Sequence, residues 1–323
     1  MGEIGLFAPT PIQAQAIPAA LRSADVWATA PTGSGKTLAF SLPLLQQLVG
    51  VPRQTNFRRP IRLLVLVPTR ELAVQVGEVL GHLAYRLPQA LKVNTVYGGV
   101  SVNPQMMALR GGADIVVATP GRLLDLVDQN AIRLNDVQHL VLDEADRLLD
   151  LGFADELQRV LALLPTMRQT LLFSATFATE VEALAARLLR DPVRIMVEAM
   201  AAQKPDITQR AIAVDEKNRT PLLRHLMAQN EWKQVLVFVA TRYACEHVAA
   251  KLYKAGIYAT PFHGEMSQGA RQEVLREFKA GRWDVVVTTD LASRGIDIAM
   301  LPVVINYDLP RSATDYTHRI GRT

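Results

Sequence analysis

The fold is decided by Val26-Trp27-Ala28-Thr29-Ala30-Pro31-Thr32-Gly33-Ser34-Gly35-Lys36-Thr37. The first four residues read as a short strand, and a helical pattern follows Thr37. Strand, glycine-rich loop, Lys-Thr and helix, in that order, form the setting of a phosphate-binding loop. Gly33 and Gly35 allow successive backbone N–H groups to wrap an anion, and the start of the helix adds a favourable dipole. On this reading Thr32, Gly33, Ser34 and Gly35 line the cradle. Lys36 reaches the β- and γ-phosphates, and the Thr37 hydroxyl ligates Mg²⁺. The generic motif opens with glycine, whereas Ala30 stands there in this chain. A glycine-rich loop acting only as a turn is the plainer alternative.

A second segment supports the nucleotide reading. Leu140-Val141-Leu142 is an apolar strand that runs into Asp143-Glu144-Ala145-Asp146. A carboxylate at the C-terminal end of a strand in the same sheet is where a metal contact belongs. Asp143 is the candidate metal ligand, and Glu144 the group that polarises the attacking water. The alternative is an acidic first helical turn favoured by the helix dipole.

Outward from these two segments, short β-branched and leucine-rich runs alternate with amphipathic ones. Strands are expected at 26–29, 63–67, 93–97, 115–118, 140–142, 171–173 and 194–197. A second series is expected at 211–214, 235–239, 257–260, 285–288 and 303–306. Between them, Leu72, Val76, Leu80, Leu83 and Leu87 recur at helical spacing. Continuous apolar strands interleaved with helices imply parallel sheets covered on both faces. The expected architecture is α/β: a domain at 1–198, a proline-bearing linker at 199–208 and a second domain at 209–323. Cys245, in the helical stretch 242–255 beside Val248, Ala249 and Leu252, reads as a core residue.

Composition excludes several classes. Hydrophobic residues make up 49% of the 323 and charged residues 20%, which is globular usage and not that of a disordered or fibrous chain. The net charge of +4 is too small to signal nucleic-acid binding alone. Up to Glu198 there are 18 basic and 18 acidic side chains, and beyond it 17 and 13, so the surplus lies in the second domain. One cysteine permits no disulfide framework and no zinc knuckle. No apolar run approaches the roughly 18 residues of a membrane span, and the first residues lack a basic-then-apolar leader. A soluble cytoplasmic protein is expected. Arg53, Arg58, Arg59 and Arg62 form a basic cluster expected in a loop, either solvated or touching nucleic acid.

The Asp-Glu-Ala-Asp segment after Ala-Pro-Thr-Gly-Ser-Gly-Lys-Thr resembles the DEAD-box RNA helicases of helicase superfamily 2, and further motifs occur in the family's order. Pro9 to Gln13 resembles the Q motif, whose glutamine, here Gln13, reads adenine. Pro68, Thr69 and Arg70, then Gly98 and Gly99, then Thr119, Pro120, Gly121 and Arg122, resemble the RNA contacts of the first domain. Ser174-Ala175-Thr176 resembles the segment that couples the DEAD aspartate, Asp146, to the second domain. Thr241, Gln268 and Arg271 resemble second-domain RNA contacts. Thr288 to Asp297 is similar to the segment serving RNA through Thr289 and the ribose through Gly295 and Asp297. His318 to Thr323 matches the start of the arginine-finger motif, with His318 in coupling and Arg319 and Arg322 in catalysis.

The resemblance implies two RecA-like domains in tandem. It also implies a monomeric ATP-dependent RNA helicase using ATP and Mg²⁺, in which nucleotide and RNA close the domains, bend RNA and melt a short duplex. Few residues precede Gln13, and Phe7 sits too close to it to be the family's adenine-stacking aromatic. The finger motif stops at Thr323. These departures imply a core fragment whose second domain is incomplete at its C-terminus, less stable and weak in hydrolysis. Two rivals remain open at this point. One is a superfamily 2 DNA helicase or translocase. The other is an ATP-gated RNA-binding module with little turnover.

Overall fold

A computed structural model describes residues 8–31, 33–49, 59–176, 178–197, 207–290, 301–310 and 312–323. The chain divides into two compact units, Met1–Gln203 and Lys204–Thr323.

In the first unit the elements run α1 (Pro11–Leu21), β1 (Val26–Thr29), α2 (Lys36–Val49), β2 (Leu63–Leu66), α3 (Arg70–Tyr85), β3 (Val93–Val96), α4 (Val102–Ala108) and β4 (Ile115–Ala118). They continue through α5 (Pro120–Asp128), β5 (His139–Leu142), α6 (Ala145–Asp150), α7 (Ala154–Ala162), β6 (Gln169–Ser174), α8 (Thr179–Leu188) and β7 (Val193–Met196). Seven strands form one sheet in the order β3-β4-β2-β5-β6-β1-β7, and every pairing is parallel.

Alternate residues of each strand feed opposite faces. Val26, Ala28, Leu63, Val65, Val141, Leu171 and Phe173 join a core that also holds apolar residues of α1, α2 and α3. Trp27, Leu64, Leu66, Leu140, Leu142 and Leu172 join a second core with residues of α5, α6, α7 and α8. Burial on both faces is why these strands read as uninterrupted apolar runs.

The second unit contains α9 (Arg219–Asn230), β8 (Val235–Phe238), α10 (Arg242–Lys254), β9 (Ala259–Phe262), α11 (Gln268–Lys279), β10 (Val285–Thr288), β11 (Val303–Asn306) and α12 (Ala313–Ile320). Its four strands lie in the order β11-β8-β10-β9, again parallel. Cys245 is buried in the α10 face of its core beside Val248, Ala249 and Leu252, as expected.

Three expectations need correction. Residues 211–214 form no strand, and Ile212 and Val214 stay 40% and 37% exposed. No described strand of the second sheet pairs with them, and a β-prone run without a partner gains nothing from extension. The strand expected at 257–260 lies instead at Ala259–Phe262 and carries Pro261 in its interior. The proline is accommodated because β9 is an edge strand, where a missing N–H is tolerated.

The third correction concerns the basic cluster. Arg53 and Arg58 lie outside the described residues, whereas Arg59 and Arg62 bind Asp114 at 2.8 and 3.1 Å. Arg62 is buried and also donates to the Leu48 carbonyl at 3.0 Å. Burial alone would raise the Asp114 pKa, but the Lys92 N–H and the two guanidiniums outweigh it and hold the carboxyl below its ordinary value. These two arginines brace the N-terminal ends of β2 and β4 and are not free to reach a ligand as part of a loop.

Candidate nucleotide and nucleic-acid site

The sheet order sorts the motifs of the first unit into two groups. β5, β6 and β1 are neighbours, and their C-terminal ends lead to Asp143, Ser174 and the Ala30–Thr37 loop. β3, β4 and β2 are the other neighbours, leading to Gly98, Thr119 and Pro68. In a parallel sheet all these ends share one edge, the edge where ligands bind.

In the first group, Gly33 and Gly35 have φ of 79° and 93°, the left-handed region that suits glycine. Space around a Cβ at Gly33 is open, whereas one at Gly35 would overlap the Gln13 amide. Gln13 accepts from Thr10 N at 3.0 Å and donates to the Gly35 carbonyl at 3.2 Å. It is buried, so its amide is engaged with the loop. Lys36 is buried as well and donates to the Ala30 carbonyl at 2.9 Å, closing the loop on itself. Thr37 occupies the first turn of α2. Thr32 lies outside the described residues.

Asp143 follows β5 and is buried. Desolvation pushes its carboxyl up to about 6 and the Glu144 charge adds to this, while the Lys36 ammonium opposes it. Its Oδ1 accepts the Glu144 N–H at 3.0 Å. Glu144 has φ 52° and ψ 51°, a left-handed conformation unusual for this residue type. Its Oε2 is held by Arg147 Nη1 at 2.8 Å. Asp146 Oδ2 accepts from Ala175 N at 3.1 Å and from the Thr176 hydroxyl at 3.2 Å, and Thr176 N donates to Ser174 Oγ at 3.2 Å. The Asp-Glu-Ala-Asp and Ser-Ala-Thr segments are therefore joined by direct hydrogen bonds.

In the second group, Thr69 caps α3 by accepting from Leu72 N at 3.3 Å. Thr119 is the N-cap of α5 without a side-chain cap bond, and Pro120 and Gly121 open that helix. Arg122 is buried and donates Nη2 to the Val100 carbonyl at 2.8 Å. The Arg70 guanidinium packs where a Cβ on Gly99 would stand, and Gly99 has φ 76°. Arg70 and Arg122 thus converge on the turn from Gly98 to Val100, with Pro68 just beyond β2 and Gly121 in the first turn of α5.

In the second unit Thr241 caps α10 through Ala244 N at 3.1 Å. Gln268 opens α11 and is buried, and neither of its amide atoms has a hydrogen-bond partner among the described residues. Arg271, one turn on, lies 4.8 Å over the Phe262 ring. Thr289 follows β10 directly. Arg319 is engaged within its own unit. Its Nε and Nη2 donate to Asp290 at 2.5 and 2.6 Å, and its Nη1 donates to Asn306 Oδ1 and the Asp308 carbonyl at 2.9 and 2.6 Å. Arg322 is buried, and its carbonyl accepts from Leu301 N at 2.8 Å. Gly295, Asp297 and the His318 side chain lie outside the described residues.

Sequence reasoning gave no role to Arg147 or Asp290. The Glu144–Arg147 spacing of three on a helix was the available signal for the first. The second depended on a contact 29 residues away.

Residues 10–184 match the DEAD/DEAH box helicase family and residues 218–323 the helicase conserved C-terminal domain. DEAD-box ATP-dependent RNA helicase 30 of Arabidopsis thaliana is 42% identical over all of this chain and 54% of its own length. ATP-dependent RNA helicase DeaD of Escherichia coli K12 is 38% identical over all of this chain and 50% of its own length. The chain therefore spans about half the length of these curated relatives. Among solved structures, S. cerevisiae Dbp5 bound to RNA and ADP BeF3 is 30% identical, with a TM-score of 0.82 over all of this chain and 82% of that one. A DEAD box protein from the hyperthermophile Methanococcus jannaschii is 36% identical, with a TM-score of 0.56 over all of this chain and 85% of that one. With both units matched and the Asp143–Asp146 segment bonded to Ser174-Ala175-Thr176, the chain belongs to the DEAD-box helicase family.

Proposed function

We propose that the chain is the catalytic core of an ATP-dependent RNA helicase, an RNA-stimulated ATPase. The observation that carries this reading is the convergence of Lys36, Asp143 and the Asp146–Thr176 bond on three neighbouring strand ends. The names of its relatives and the RNA and ADP BeF3 bound to Dbp5 support the same assignment.

The residues present suit a magnesium-bound triphosphate. The space beside Gly33 is open, Ser34 Oγ is buried without a partner among the described residues, and Asp143 is a buried carboxylate with only partial compensation from Lys36. Thr37 and Asp143 would hold Mg²⁺, which when bound supplies charge to neutralise the phosphates. Lys36 binds phosphate oxygens, Gln13 reads adenine, and Gly295 and Asp297 serve the ribose. Glu144 orients the attacking water, and Arg322 stabilises charge that develops in the transition state. The bonds of Arg319 within its unit support a bracing role for it in place of a phosphate contact. Ser174, Thr176, Asp146 and His318 carry the coupling to RNA.

RNA is held through sugar and phosphate by Pro68, Thr69, Arg70, Gly98, Gly99, Thr119, Pro120, Gly121 and Arg122 of the first unit. Thr241, Gln268, Arg271 and Thr289 serve in the second. Such contacts carry little sequence information, while hydroxyl contacts distinguish RNA from DNA. In line with the family resemblance, binding of one ligand is expected to favour binding of the other. Among the described residues no helix is long and apolar enough to cross a membrane. On the family resemblance, a cytoplasmic monomer is proposed.

The test is steady-state ATP hydrolysis with and without RNA. Glu144→Gln should keep nucleotide binding and lose turnover, whereas Lys36→Ala should weaken binding itself. With a non-hydrolysable ATP analogue, single-stranded RNA should bind more tightly than DNA of the same sequence, with affinity falling as salt rises. Turnover retained by Glu144→Gln, or equal affinity for RNA and DNA, would overturn the corresponding assignment.

A further inference from the structure

We propose that Arg147 is the positioning residue for Glu144, clamping one carboxylate oxygen so that the other faces the attacking water. This rests on the reading of Glu144 as the residue that orients that water.

Four observations carry it. Arg147 Nη1 meets Glu144 Oε2 at 2.8 Å, and the two side chains are only 6% and 11% exposed. Arg147 is the ion-pair partner of Glu144 among the described residues. Only Oε2 is taken, so Oε1 is left without a protein partner among the described residues. Finally, both ends of the pair are anchored by backbone bonds to the flanking aspartates. Glu144 N donates to Asp143 Oδ1 at 3.0 Å, and Arg147 N donates to Asp146 Oδ1 at 3.1 Å.

The second anchor matters most. Asp146 uses its other oxygen to hold Ala175 and Thr176. A continuous path therefore runs from the Ser-Ala-Thr segment through Asp146 and Arg147 to the Glu144 carboxylate. A shift of Thr176 would be felt at Arg147 and so at Glu144. A solvated pair three residues apart on a helix would stabilise the helix slightly. Here the left-handed backbone of Glu144 and the burial of both partners fix one carboxylate orientation instead.

Single-turnover ATP hydrolysis with saturating RNA and enzyme in excess tests this, followed over hours so that slow rates are read. Arg147→Met should slow the hydrolytic step on the order of a hundredfold, the cost of misplacing a reacting group by about an ångström. Affinity for a non-hydrolysable ATP analogue should not change. Arg147→Lys, which keeps a cation but not the planar fork, should recover part of the rate. In a Glu144→Gln background, adding Arg147→Met should change nothing further, because Arg147 acts only through Glu144.

A parent-like rate in Arg147→Met overturns the proposal, and so does a slowing of equal factor in the Glu144→Gln background. If Arg147→Met loses amide-exchange protection throughout the first unit, Arg147→Lys and Arg147→Gln take its place. Equal rates for those two would then overturn the proposal, because retained charge is what should separate them. A parent chain without hydrolysis, or turnover retained by Glu144→Gln, refutes the underlying ATPase reading instead.

Discussion

Arg319→Met separates a brace from a catalytic group. Arg319 is 2% exposed, gives both Asp290 oxygens a hydrogen bond, and gives two more to Asn306 and the Asp308 carbonyl. Its guanidinium also lies 4.9 Å over the Phe238 ring. Methionine preserves most of the stem volume and the contact with Phe238, but none of the four hydrogen bonds. Removing one partner of a buried pair costs about 3–5 kcal/mol. The Asp290 side chain is 30% exposed, so water recovers part of its loss and sets the ion-pair share near the bottom of that range. The stranded Asn306 and Asp308 oxygens add to it, and about 3–4 kcal/mol is expected for the second unit. For a unit of this size that lowers its melting temperature by roughly 10–15 °C.

Hydrogen exchange resolved by segment is the assay, because it reads each unit by itself. Amides of β8 and β11 should lose protection, since Phe238 and Asn306 sit on those strands, while β1, β5 and β6 should not change. Asp290→Asn should produce the same pattern more weakly, and the double variant should show a coupling above about 1 kcal/mol. If Arg319→Met leaves exchange in the second unit unchanged but abolishes RNA-stimulated hydrolysis, the brace is wrong. Arg319 then takes a direct part in hydrolysis.

Two further outcomes follow from buried titratable groups. The Asp143 carboxyl is raised from 3.8 to about 6, chiefly by desolvation, so ionising it in the folded, metal-free chain opposes stability. The penalty, on the order of 3 kcal/mol, is complete above about pH 6 and vanishes as pH falls toward the unfolded value. Asp143→Asn should accordingly stabilise the first unit near neutral pH, by less at about pH 4, while losing magnesium-dependent nucleotide binding. Urea melts at both pH values check it, and an equal gain at both would contradict the sign. The Cys245 thiol is buried, donates to the Val287 carbonyl at 2.8 Å, and is pushed up to about 11 by burial. Alkylation near pH 8 should therefore proceed only as fast as the second unit opens, and rapid labelling of the folded chain would refute its burial.

Strand positions were legible because burial on both faces leaves a mark in the sequence: Leu63 to Leu66 and Val285 to Val287 admit no polar residue. The failures have the same origin. Ala211 to Val214 carries the composition of a strand, but composition does not supply a neighbour to pair with. The strand expected at 257–260 is shifted to Ala259–Phe262 because pairing with β10 sets its bounds, and the sequence does not reveal that partner. Partner choice was the least legible feature. Arg59, Arg62, Arg147 and Arg319 look alike as surface cations, yet each is committed to an acidic partner. For Arg59, Arg62 and Arg319 that partner lies 29 to 55 residues away.

The order of strands carries a consequence that no linear reading of motifs contains. Along the chain, the phosphate loop and the Asp143 segment are separated by every first-domain RNA motif. In the sheet, β6 is inserted between β5 and β1, and this places Ser174 beside both the phosphate loop and the carboxylates. Ala30 N donates to the Ser174 carbonyl at 3.1 Å, and Asp146 holds Ala175 and Thr176. The Ser-Ala-Thr segment is thus bonded on one side to the residue that receives the Lys36 ammonium, and on the other to the aspartate that anchors Arg147. A displacement of that segment cannot alter one side alone. On the proposed reading, coupling between RNA engagement and hydrolysis requires no long pathway, because one strand end is bonded to both the Ala30 loop and the Asp143–Asp146 segment.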